Sequence, residues 1–462
     1  MISKLAKLAW TNWTVALALS FPAMGQQTKP FVPVTDQMIE RPDPADWPSW
    51  RRTLNDWGYS PLTEINKANV GQLRMVWTRG MGPGIQEATP LVYQGVMYIP
   101  SPSDLVQAIH ADTGDLFWQY KRDLPDDLGK FIPFPSINRN FAIYGNLIIN
   151  TSRDDFVYGL DAQTGKQVWE NRITDYREDS AQETAGPIIV KGKIISGRGC
   201  EYRATPRACV ITAHDAKTGK EVWRISTIPR PGEPGDETWG NIPYENRRHV
   251  GTWMVPTYDP DLNLIYIGTS VTSPAPKFML AGTDKTYLYH NCTLALNPDG
   301  KIVWYYQHLV DNWDFDHPFE RILVDTTVAP DKGQVKWINP RLKPGERRKV
   351  ITGIPGKTGI IYTLDRQTGE FLWATETTRQ TVVSSIDPAT GKVTENPEAL
   401  FSKANQELFI CPSTHGGKAW TPGAYNPNTN VMYFPLQNTC AEPERVSPAG
   451  SKCRHRTVVC NL

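Results

Sequence analysis

Two aspartates close together in the sequence, Asp314 and Asp316, are the clearest sign of chemistry in this chain. In an extended segment, residues two positions apart point to the same side, so both carboxylates would share one face. Two like charges on one face are costly unless a cation lies between them. Oxygen ligands suit a hard cation, normally Ca²⁺. The pair therefore predicts a metal site; the alternative is that Asp311, Asp314 and Asp316 form only an acidic loop.

The elements that position these residues are predicted by a phrase that occurs five times. It reads Asp-x-x-Thr-Gly or a close variant, and a Trp follows the Gly by four residues. The Gly accepts a positive φ in a tight turn between two strands. The spacing of the copies suits four-stranded propeller blades, and the Trp is interpreted as a wedge between neighbouring blades. The five glycines are Gly114, Gly165, Gly219, Gly300 and Gly369.

Composition supports an all-β fold. The chain has 462 residues, among them 35 glycines and 38 prolines, and its apolar runs are short, which does not fit a helical protein. The alternatives to a propeller are a linear β-solenoid or two unrelated sandwiches. The net charge of +1 is dispersed, so no nucleic-acid partner and no membrane-surface helix is expected.

The first 25 residues are typical of a secretory signal peptide. Lys4 and Lys7 precede an apolar stretch at 13–21, and small residues at 23–25 suit cleavage. This stretch is short for a bilayer span, although a retained anchor is the alternative, and no other segment is apolar enough to cross a membrane. We expect a periplasmic protein with an unstructured leader at 26–44 and a propeller at 45–462.

The seven cysteines are then expected in an oxidising compartment. Plausible pairs are Cys200 with Cys209, Cys411 with Cys440, and Cys453 with Cys460, which leaves Cys292 unpaired. Sequence alone leaves this connectivity open. The sequence contains no Cys-x-x-Cys-His motif for a c-type haem.

Six segments in a fixed order carry a family resemblance: 46–51, 59–70, 88–92, 138–139, 313–316 and 357–359. Together they resemble the pyrroloquinoline quinone (PQQ) dependent alcohol dehydrogenases. The resemblance extends from about residue 47 to residue 440. It implies an eight-bladed propeller of W-shaped, four-stranded blades with PQQ and a metal ion on the axis. The chain ends soon after Cys440, so the last blade is expected to be incomplete, with an open edge.

The resemblance also implies residues that bind PQQ. Trp253 corresponds to the indole that stacks under the rings; the alternative is a blade-packing Trp. Lys357 corresponds to the cation beside the reactive quinone oxygens, where it stabilises negative charge. Residues 134–137 take the place of the usual adjacent-cysteine roof. Further cofactor contacts are expected from Glu87, Arg139, Thr184 and Trp420. For the first three, the alternative is ordinary loop or turn chemistry.

For the metal, the resemblance implies Glu201, Asp314 and Asp316 as ligands. The family's Asn ligand is absent, and Thr272 or Ser273 stands in its place. An Asp-x-Asp pattern is associated in this family with lanthanides, because an extra carboxylate offsets more of a trivalent charge. The expected ion is Ca²⁺ or a lanthanide, with a slight preference for the lanthanide.

The implied activity is oxidation of an alcohol to an aldehyde or ketone. Asp314 would take the hydroxyl proton, hydride would pass to PQQ, and a separate cytochrome c would accept the electrons. The substrate pocket is expected near His317, Phe319, His415 and Trp420, although blade packing is equally compatible. For His317, the alternatives are a neighbour of the metal and a satisfied surface position, and the surface position is favoured. The competing hypotheses are a non-catalytic periplasmic propeller scaffold and a PQQ dehydrogenase for a sugar or polymeric alcohol.

Overall fold

The computed structural model describes residues 30–280, 284–310, 313–441 and 457–459. The predicted signal peptide, Asp311 and the Cys453–Cys460 pair lie outside these residues. None of the helices described is long and apolar enough to cross a membrane.

Short antiparallel strands dominate the described residues, as the repeat predicts. The two α-helices are α1 (Asp36–Glu40) and α2 (Leu128–Phe131), and the 3-10 turns are Val70–Gln72, Pro206–Ala208, Asp236–Trp239, Tyr244–Asn246, Lys277–Met279 and Pro397–Ala399. The strands are β1 (Leu91–Tyr93), β2 (Val96–Ser101), β3 (Leu105–His110), β4 (Leu116–Lys121), β5 (Ala142–Tyr144), β6 (Leu147–Thr151), β7 (Phe156–Asp161), β8 (Gln167–Arg172), β9 (Ala181–Gln182), β10 (Ile188–Val190), β11 (Lys193–Gly197), β12 (Gly199–Cys200), β13 (Val210–Asp215), β14 (Glu221–Ser226), β15 (Thr257–Asp259), β16 (Leu264–Gly268), β17 (Cys292–Leu296), β18 (Ile302–Gln307), β19 (Ile322–Thr327), β20 (Trp337–Ile338), β21 (Arg347–Gly353), β22 (Ile360–Asp365), β23 (Phe371–Glu376), β24 (Val383–Ile386), β25 (Val393–Glu395), β26 (Ala424–Asn426), β27 (Val431–Tyr433), β28 (Thr439–Ala441) and β29 (Thr457–Val459).

The strands form successive up-and-down sheets. Four sheets have four strands in the orders β1-β2-β3-β4, β5-β6-β7-β8, β10-β11-β13-β14 and β15-β16-β17-β18. A fifth sheet, β19-β21-β22-β23-β20, adds a short strand to the same pattern, and two-stranded pairs are formed by β12 with β9, β24 with β25, β26 with β27, and β28 with β29. The predicted all-β class and blade pattern are confirmed. The number of eight blades and the incomplete last blade stay predictions.

Each repeat forms the predicted turn between the third and fourth strands of its sheet. All five repeat glycines have φ between 69° and 84°, a region that side chains beyond Gly rarely adopt. In the second copy, Asp161 Oδ1 accepts hydrogen bonds from the backbone N–H and the hydroxyl of Thr164, at 2.9 and 2.8 Å. Gly165 N donates to the Asp161 carbonyl at 2.8 Å, which closes the turn.

The repeat tryptophans join neighbouring sheets. Four of the five rings lie against the turn glycine of the following sheet, so closely that a Cβ on that glycine would meet the ring at 2.7 Å or less. Trp118 also donates its indole N–H to the carbonyl of Ala162 at 3.0 Å, within the next turn. The interpretation of the Trp as a wedge between blades is therefore confirmed. The pairs are Trp118–Gly165, Trp169–Gly219, Trp223–Gly300 and Trp304–Gly369.

Two further positions extend the pattern beyond the five copies. Trp77 packs against Gly114, so a Trp–Gly contact precedes the first sheet. Asp387 caps Thr390 in the turn between β24 and β25 in the same way, and Gly391 there has a φ of 76°. That turn packs on Tyr306 and Phe371 instead of a Trp, and Glu395 stands where its own Trp would follow the Gly.

Residues 30–44, expected to be an unstructured leader, are structured, and the expectation was wrong for this segment. Thr35 caps α1, and Val34 pairs with Gly145 through two backbone hydrogen bonds of 2.9 and 2.8 Å. Val34 and Ile39 are buried in the main core. Burial of such side chains stabilises by about 1.5–3 kcal/mol each, which anchors the segment to the sheets.

Two of the predicted disulfides are present. Cys200 is bonded to Cys209, and Cys411 is bonded to Cys440. Cys292 is free and buried, as expected for the leftover residue.

Candidate functional site

The strand order places the predicted site residues at one end of the sheets. In an up-and-down sheet, the turn between the third and fourth strands, which carries the repeat, lies at one end. The connection between the second and third strands lies at the other end, together with the links between sheets. Arg139, Trp253 and Asp314 lie on links between sheets, whereas Glu201 and Lys357 lie on second-to-third connections. The candidate residues therefore gather at the end opposite the repeat turns.

Asp314 and Asp316 face the same side, as predicted, and Lys357 lies between them. Its Nζ is 3.1 Å from Asp314 Oδ2 and 3.2 Å from Asp316 Oδ2, and it also donates to the Asp314 carbonyl at 3.0 Å. The cation expected between the two carboxylates is thus supplied in this structure by the ammonium of Lys357. Although burial opposes its charge, the two carboxylates raise the pKa of Lys357 above its ordinary value, so it stays protonated.

The two aspartates differ in exposure. The side chain of Asp314 is 43% exposed, whereas that of Asp316 is 10% exposed. Asp316 Oδ1 also accepts from the backbone N–H of Val271 at 3.0 Å. Asp316 is therefore held from two sides, and Asp314 is the carboxylate that an incoming molecule can reach.

Glu201 lies at the end of β12 and is largely buried. Gln182 Nε2 donates to Glu201 Oε1 at 2.9 Å across the β9–β12 pair. Burial raises the pKa of Glu201, and the hydrogen bond from Gln182 opposes this shift. Gln182 was missed in the sequence, where nothing marks a lone Gln as a partner of a residue 19 positions away.

His249 connects the Glu201 segment with the aspartate pair. Its Nδ1 is 2.5 Å from the carbonyl oxygen of Cys200, the residue before Glu201. Burial lowers the pKa of His249, and the negative charge of Asp316 opposes the shift.

Among the residues that the structure describes, no three His, Cys, Asp or Glu side chains are grouped closely enough to hold a metal ion. Glu201, Asp314 and Asp316 as a metal-ligand set stays a prediction.

The hydroxyl of Thr272 already has a partner. The buried ammonium of Lys277 donates to Thr272 Oγ1 at 2.5 Å and to the carbonyl of Ala275 at 3.2 Å. The ammonium of Lys277 would repel a metal ion bound to Thr272, so this geometry does not support the predicted role of Thr272 as a metal ligand.

The predicted PQQ residues Arg139, Glu87, Thr184 and Trp253 contact one another. Arg139 lies with its guanidinium carbon 4.9 Å from the centre of the Trp253 ring, and it donates to the carbonyls of Trp253 and Thr184 at 3.1 and 3.3 Å. Glu87 forms an ion pair with Arg139 at 2.5 Å. Burial lowers the pKa of Arg139 to about 10, so it remains charged at neutral pH. The cluster joins an aromatic face to a buried cation.

Phe319 supports Trp253 from the protein side. The two rings meet edge to face with centroids 5.6 Å apart, and Phe319 is buried, so it packs under the indole and does not line an open pocket. The Lys418 ammonium lies 4.6 Å from the Phe319 centroid and pairs with Glu320 at 2.8 Å, both side chains being fully buried. This ion pair was not predicted; its only signal was the position of Lys418 in the 415–420 segment.

The other predicted pocket residues are divided between core and surface. His317 is fully buried rather than at the surface, and its ring nitrogens contact the Phe315 carbonyl at 2.6 Å and the Thr358 hydroxyl at 3.4 Å. His415 is exposed and Trp420 half-buried. Their segment lies beside the site because Gly417 N donates to the Lys357 carbonyl at 2.8 Å. Residues 134–137, the expected roof, border one cavity with Gln182 and Thr184.

The family comparison agrees with this geometry. The family model described as "PQQ: Glucose/ethanol/alcohol dehydrogenase, beta-propeller domain" matches residues 47–389. The chain belongs to this family. The PQQ-dehydrogenase propeller identified from the sequence is therefore confirmed as its fold.

Relatives of this PQQ-family chain are named as dehydrogenases. It is 32% identical over 419 residues to the dehydrogenase subunit of a quinone alcohol dehydrogenase of Komagataeibacter europaeus, covering 85% of this chain and 54% of that relative. The solved quinohemoprotein alcohol dehydrogenase ADH-IIG of Pseudomonas putida HK5 superposes with a TM-score of 0.81 at 30% identity, over 93% of this chain and 64% of that one. A europium-containing methanol dehydrogenase superposes with a TM-score of 0.79 at 26% identity, over 90% of this chain and 73% of that one. The chain thus spans just over half the length of the first curated relative.

Proposed function

We propose that this chain binds PQQ and a hard metal ion and oxidises an alcohol to an aldehyde or ketone. The observation that carries the proposal is the exposed carboxylate of Asp314, held at 3.1 Å from the ammonium of Lys357 at the same end of the sheets as the Trp253–Arg139 cluster. A reachable base beside a fixed cation can take the hydroxyl proton of an alcohol, which must leave when hydride passes from the alcohol carbon to a bound acceptor.

The Trp253 cluster fits PQQ, a flat tricyclic quinone with three carboxylates. Trp253 is half-buried and offers an aromatic surface for stacking. The Nε of Arg139 is buried and has no hydrogen-bond acceptor among the side chains described, and a cofactor carboxylate supplies the acceptor that such a donor needs. We propose Glu87, Arg139, Thr184, Trp253, Lys357 and Trp420 as the residues that hold the cofactor.

The acidic residues fit a hard cation by their chemistry, since Glu201, Asp314 and Asp316 offer only oxygen donors. The similar europium-containing methanol dehydrogenase supports a lanthanide, and Ca²⁺ is the alternative. Three carboxylates favour the trivalent ion because they offset more of its charge. Thr272 is the fourth proposed ligand, and its hydroxyl would have to exchange the hydrogen bond from Lys277 for the metal ion.

When bound, PQQ with its metal ion supplies the two-electron acceptor that no side chain provides. The protein's own part is proton removal and placement. Asp314 takes the proton of the alcohol hydroxyl, and Lys357 keeps the carboxylate oriented and stabilises negative charge that develops beside it. Trp253, supported by Phe319, would hold the cofactor rings in place and so orient them toward the alcohol.

The electrons are proposed to pass to a cytochrome c in the periplasm. The predicted signal peptide and the disulfides Cys200–Cys209 and Cys411–Cys440 support an oxidising compartment. The names of quinohemoprotein relatives support a haem acceptor, although the sequence of this chain has no haem motif of its own.

The test adds PQQ to the purified chain with Ca²⁺ or La³⁺ and measures dye-linked oxidation of primary alcohols, secondary alcohols, polyols and glucose. Alcohol oxidation that requires PQQ and one of the metals supports the proposal. Oxidation of glucose alone would support a sugar dehydrogenase. Absence of both turnover and PQQ binding in a folded chain would contradict the proposal and favour a scaffold.

A further inference from the structure

A ribbon of two short strands presents Glu201. In the β9–β12 pair, Gln182 lies opposite Gly199 and Ala181 lies opposite Cys200. The pairing continues one step further, because Glu201 N donates to the Ser180 carbonyl at 3.1 Å. The side-chain hydrogen bond from Gln182 Nε2 to Glu201 Oε1, 2.9 Å long, then fixes one carboxylate oxygen from the neighbouring strand.

Both strands of the ribbon are anchored by one buried guanidinium. Arg198 directly precedes β12, and Glu183 directly follows β9. Arg198 Nε donates to Glu183 Oε1 at 2.7 Å, and its Nη2 lies 2.6 Å from Asp155 Oδ1. All three side chains are buried, so water does not compete for these contacts.

The ribbon is also fixed to the segment that carries Trp253. Thr252 N donates to the Arg198 carbonyl at 2.7 Å, and Arg198 N donates to Thr252 Oγ1 at 2.9 Å. The two segments pack closely, because a Cβ on Gly199 would lie 3.2 Å from Trp253 Cβ. The proposed cofactor floor and the Glu201 carboxylate are therefore parts of one rigid unit.

We infer that Gln182 is a positioning residue that sets the metal-binding geometry of Glu201, on a ribbon locked by Arg198 and Glu183. This inference rests on the metal role of Glu201 in the proposed function. Partners that orient a metal ligand are worth about 10–100-fold in metal affinity. An amide suits this position because it donates a hydrogen bond to the carboxylate without adding charge.

Two variants separate positioning from simple packing. Gln182→Leu removes the donor at similar volume, so the affinity for Tb³⁺ falls by about 10–100-fold. Gln182→Glu replaces the donor with a second carboxylate, so the preference for Tb³⁺ over Ca²⁺ increases, because added negative charge favours the trivalent ion. A purely structural role for Gln182 does not change the preference between the two ions.

The experiment is a titration of the full, PQQ-free chain with Tb³⁺, followed by its luminescence, and a competition with Ca²⁺. Gln107→Leu is the matched control, because Gln107 is more buried than Gln182 and its Nε2 also donates to a side-chain oxygen, that of Gln119, at 3.3 Å. Its Tb³⁺ affinity should stay within about twofold of wild type, and circular dichroism checks that each variant is folded.

Unchanged Tb³⁺ affinity and ion preference in both Gln182 variants would overturn the inference and leave the proposed metal site intact. Wild-type protein that does not bind Tb³⁺ would overturn the inference together with the metal part of the proposed function. PQQ binding, measured separately, decides the cofactor part.

Discussion

Two clusters of one cation with two carboxylates lie at the same end of the molecule and differ in their access to water. In the first, Arg198 pairs with Asp155 and Glu183, and the three side chains are at most 1% exposed. In the second, Lys357 pairs with Asp314 and Asp316, and the Asp314 side chain is 43% exposed. The same charge pattern thus serves two purposes.

The difference follows from the geometry of the cations. A guanidinium can donate to two carboxylates at once from a fixed plane, which suits a cluster closed to solvent. An ammonium is a compact point charge, and it leaves oxygens of its partners accessible to other molecules. The Arg198 cluster therefore holds backbone segments together, and the Lys357 cluster keeps a reachable carboxylate in place.

Replacing the two cations should show this contrast most strongly in stability. Arg198→Met leaves two buried carboxylates without their cation, and the free energy of unfolding should fall by about 3–5 kcal/mol. Lys357→Met should lower it by less, about 1–3 kcal/mol, because water reaches Asp314 and only Asp316 is left sheltered without its cation. Urea denaturation measures both, and equal losses in the two variants would contradict the contrast.

The Lys357 variants should also separate charge from stability. With PQQ and metal present, Lys357→Met should lower the turnover number by about 10²–10³-fold, the usual effect of removing a preorganised charge. Lys357→Arg keeps the cation and should retain part of the activity. Dye-linked kinetics of the two folded variants provide the measurement, and full activity in Lys357→Met would refute the role of this side chain.

A smaller effect is expected at Asp316, the sheltered member of the exposed cluster. Asp316→Asn removes one negative charge while the amide oxygen can still accept from Val271 N. La³⁺ affinity should fall on the order of tenfold and Ca²⁺ affinity by less, because ligand charge tunes affinity most for the more highly charged ion. Calorimetric titration with each ion tests this, and an equal loss for both ions would argue against a role in selecting the metal.

How much of the fold and of the candidate site could be predicted depended on how far apart in the sequence the contacting residues are. The turn at Asp161–Gly165 and the Trp118–Gly165 contact repeat a local pattern, so the sheets and their neighbours could be predicted. Lys357 lies more than 40 residues after Asp314 and Asp316 in the sequence, and only a family resemblance indicated that the three residues belong together.

Other features carried no local signal. Neither Arg198 nor Gln182 occurs in a repeated or recognisable motif, so the locked ribbon could not be predicted. Phe319 was expected to face substrate, but its position under Trp253 is decided by the packing of two different sheet connections. Residues 30–44 are polar enough to suggest a leader, yet a few apolar contacts, such as those of Ile39, suffice to anchor them.

The central claim, that Asp314 is the base of an alcohol dehydrogenase, is tested most directly by comparing Asp314→Asn with wild type in PQQ binding and in alcohol turnover. The exchange keeps the shape of an exposed side chain, so the free energy of unfolding should change by less than about 1 kcal/mol. PQQ affinity should stay within about threefold, while turnover should fall by about 10²–10⁴-fold, the contribution typical of a positioned base. Near-normal turnover in a folded, PQQ-bound Asp314→Asn variant would contradict the assignment.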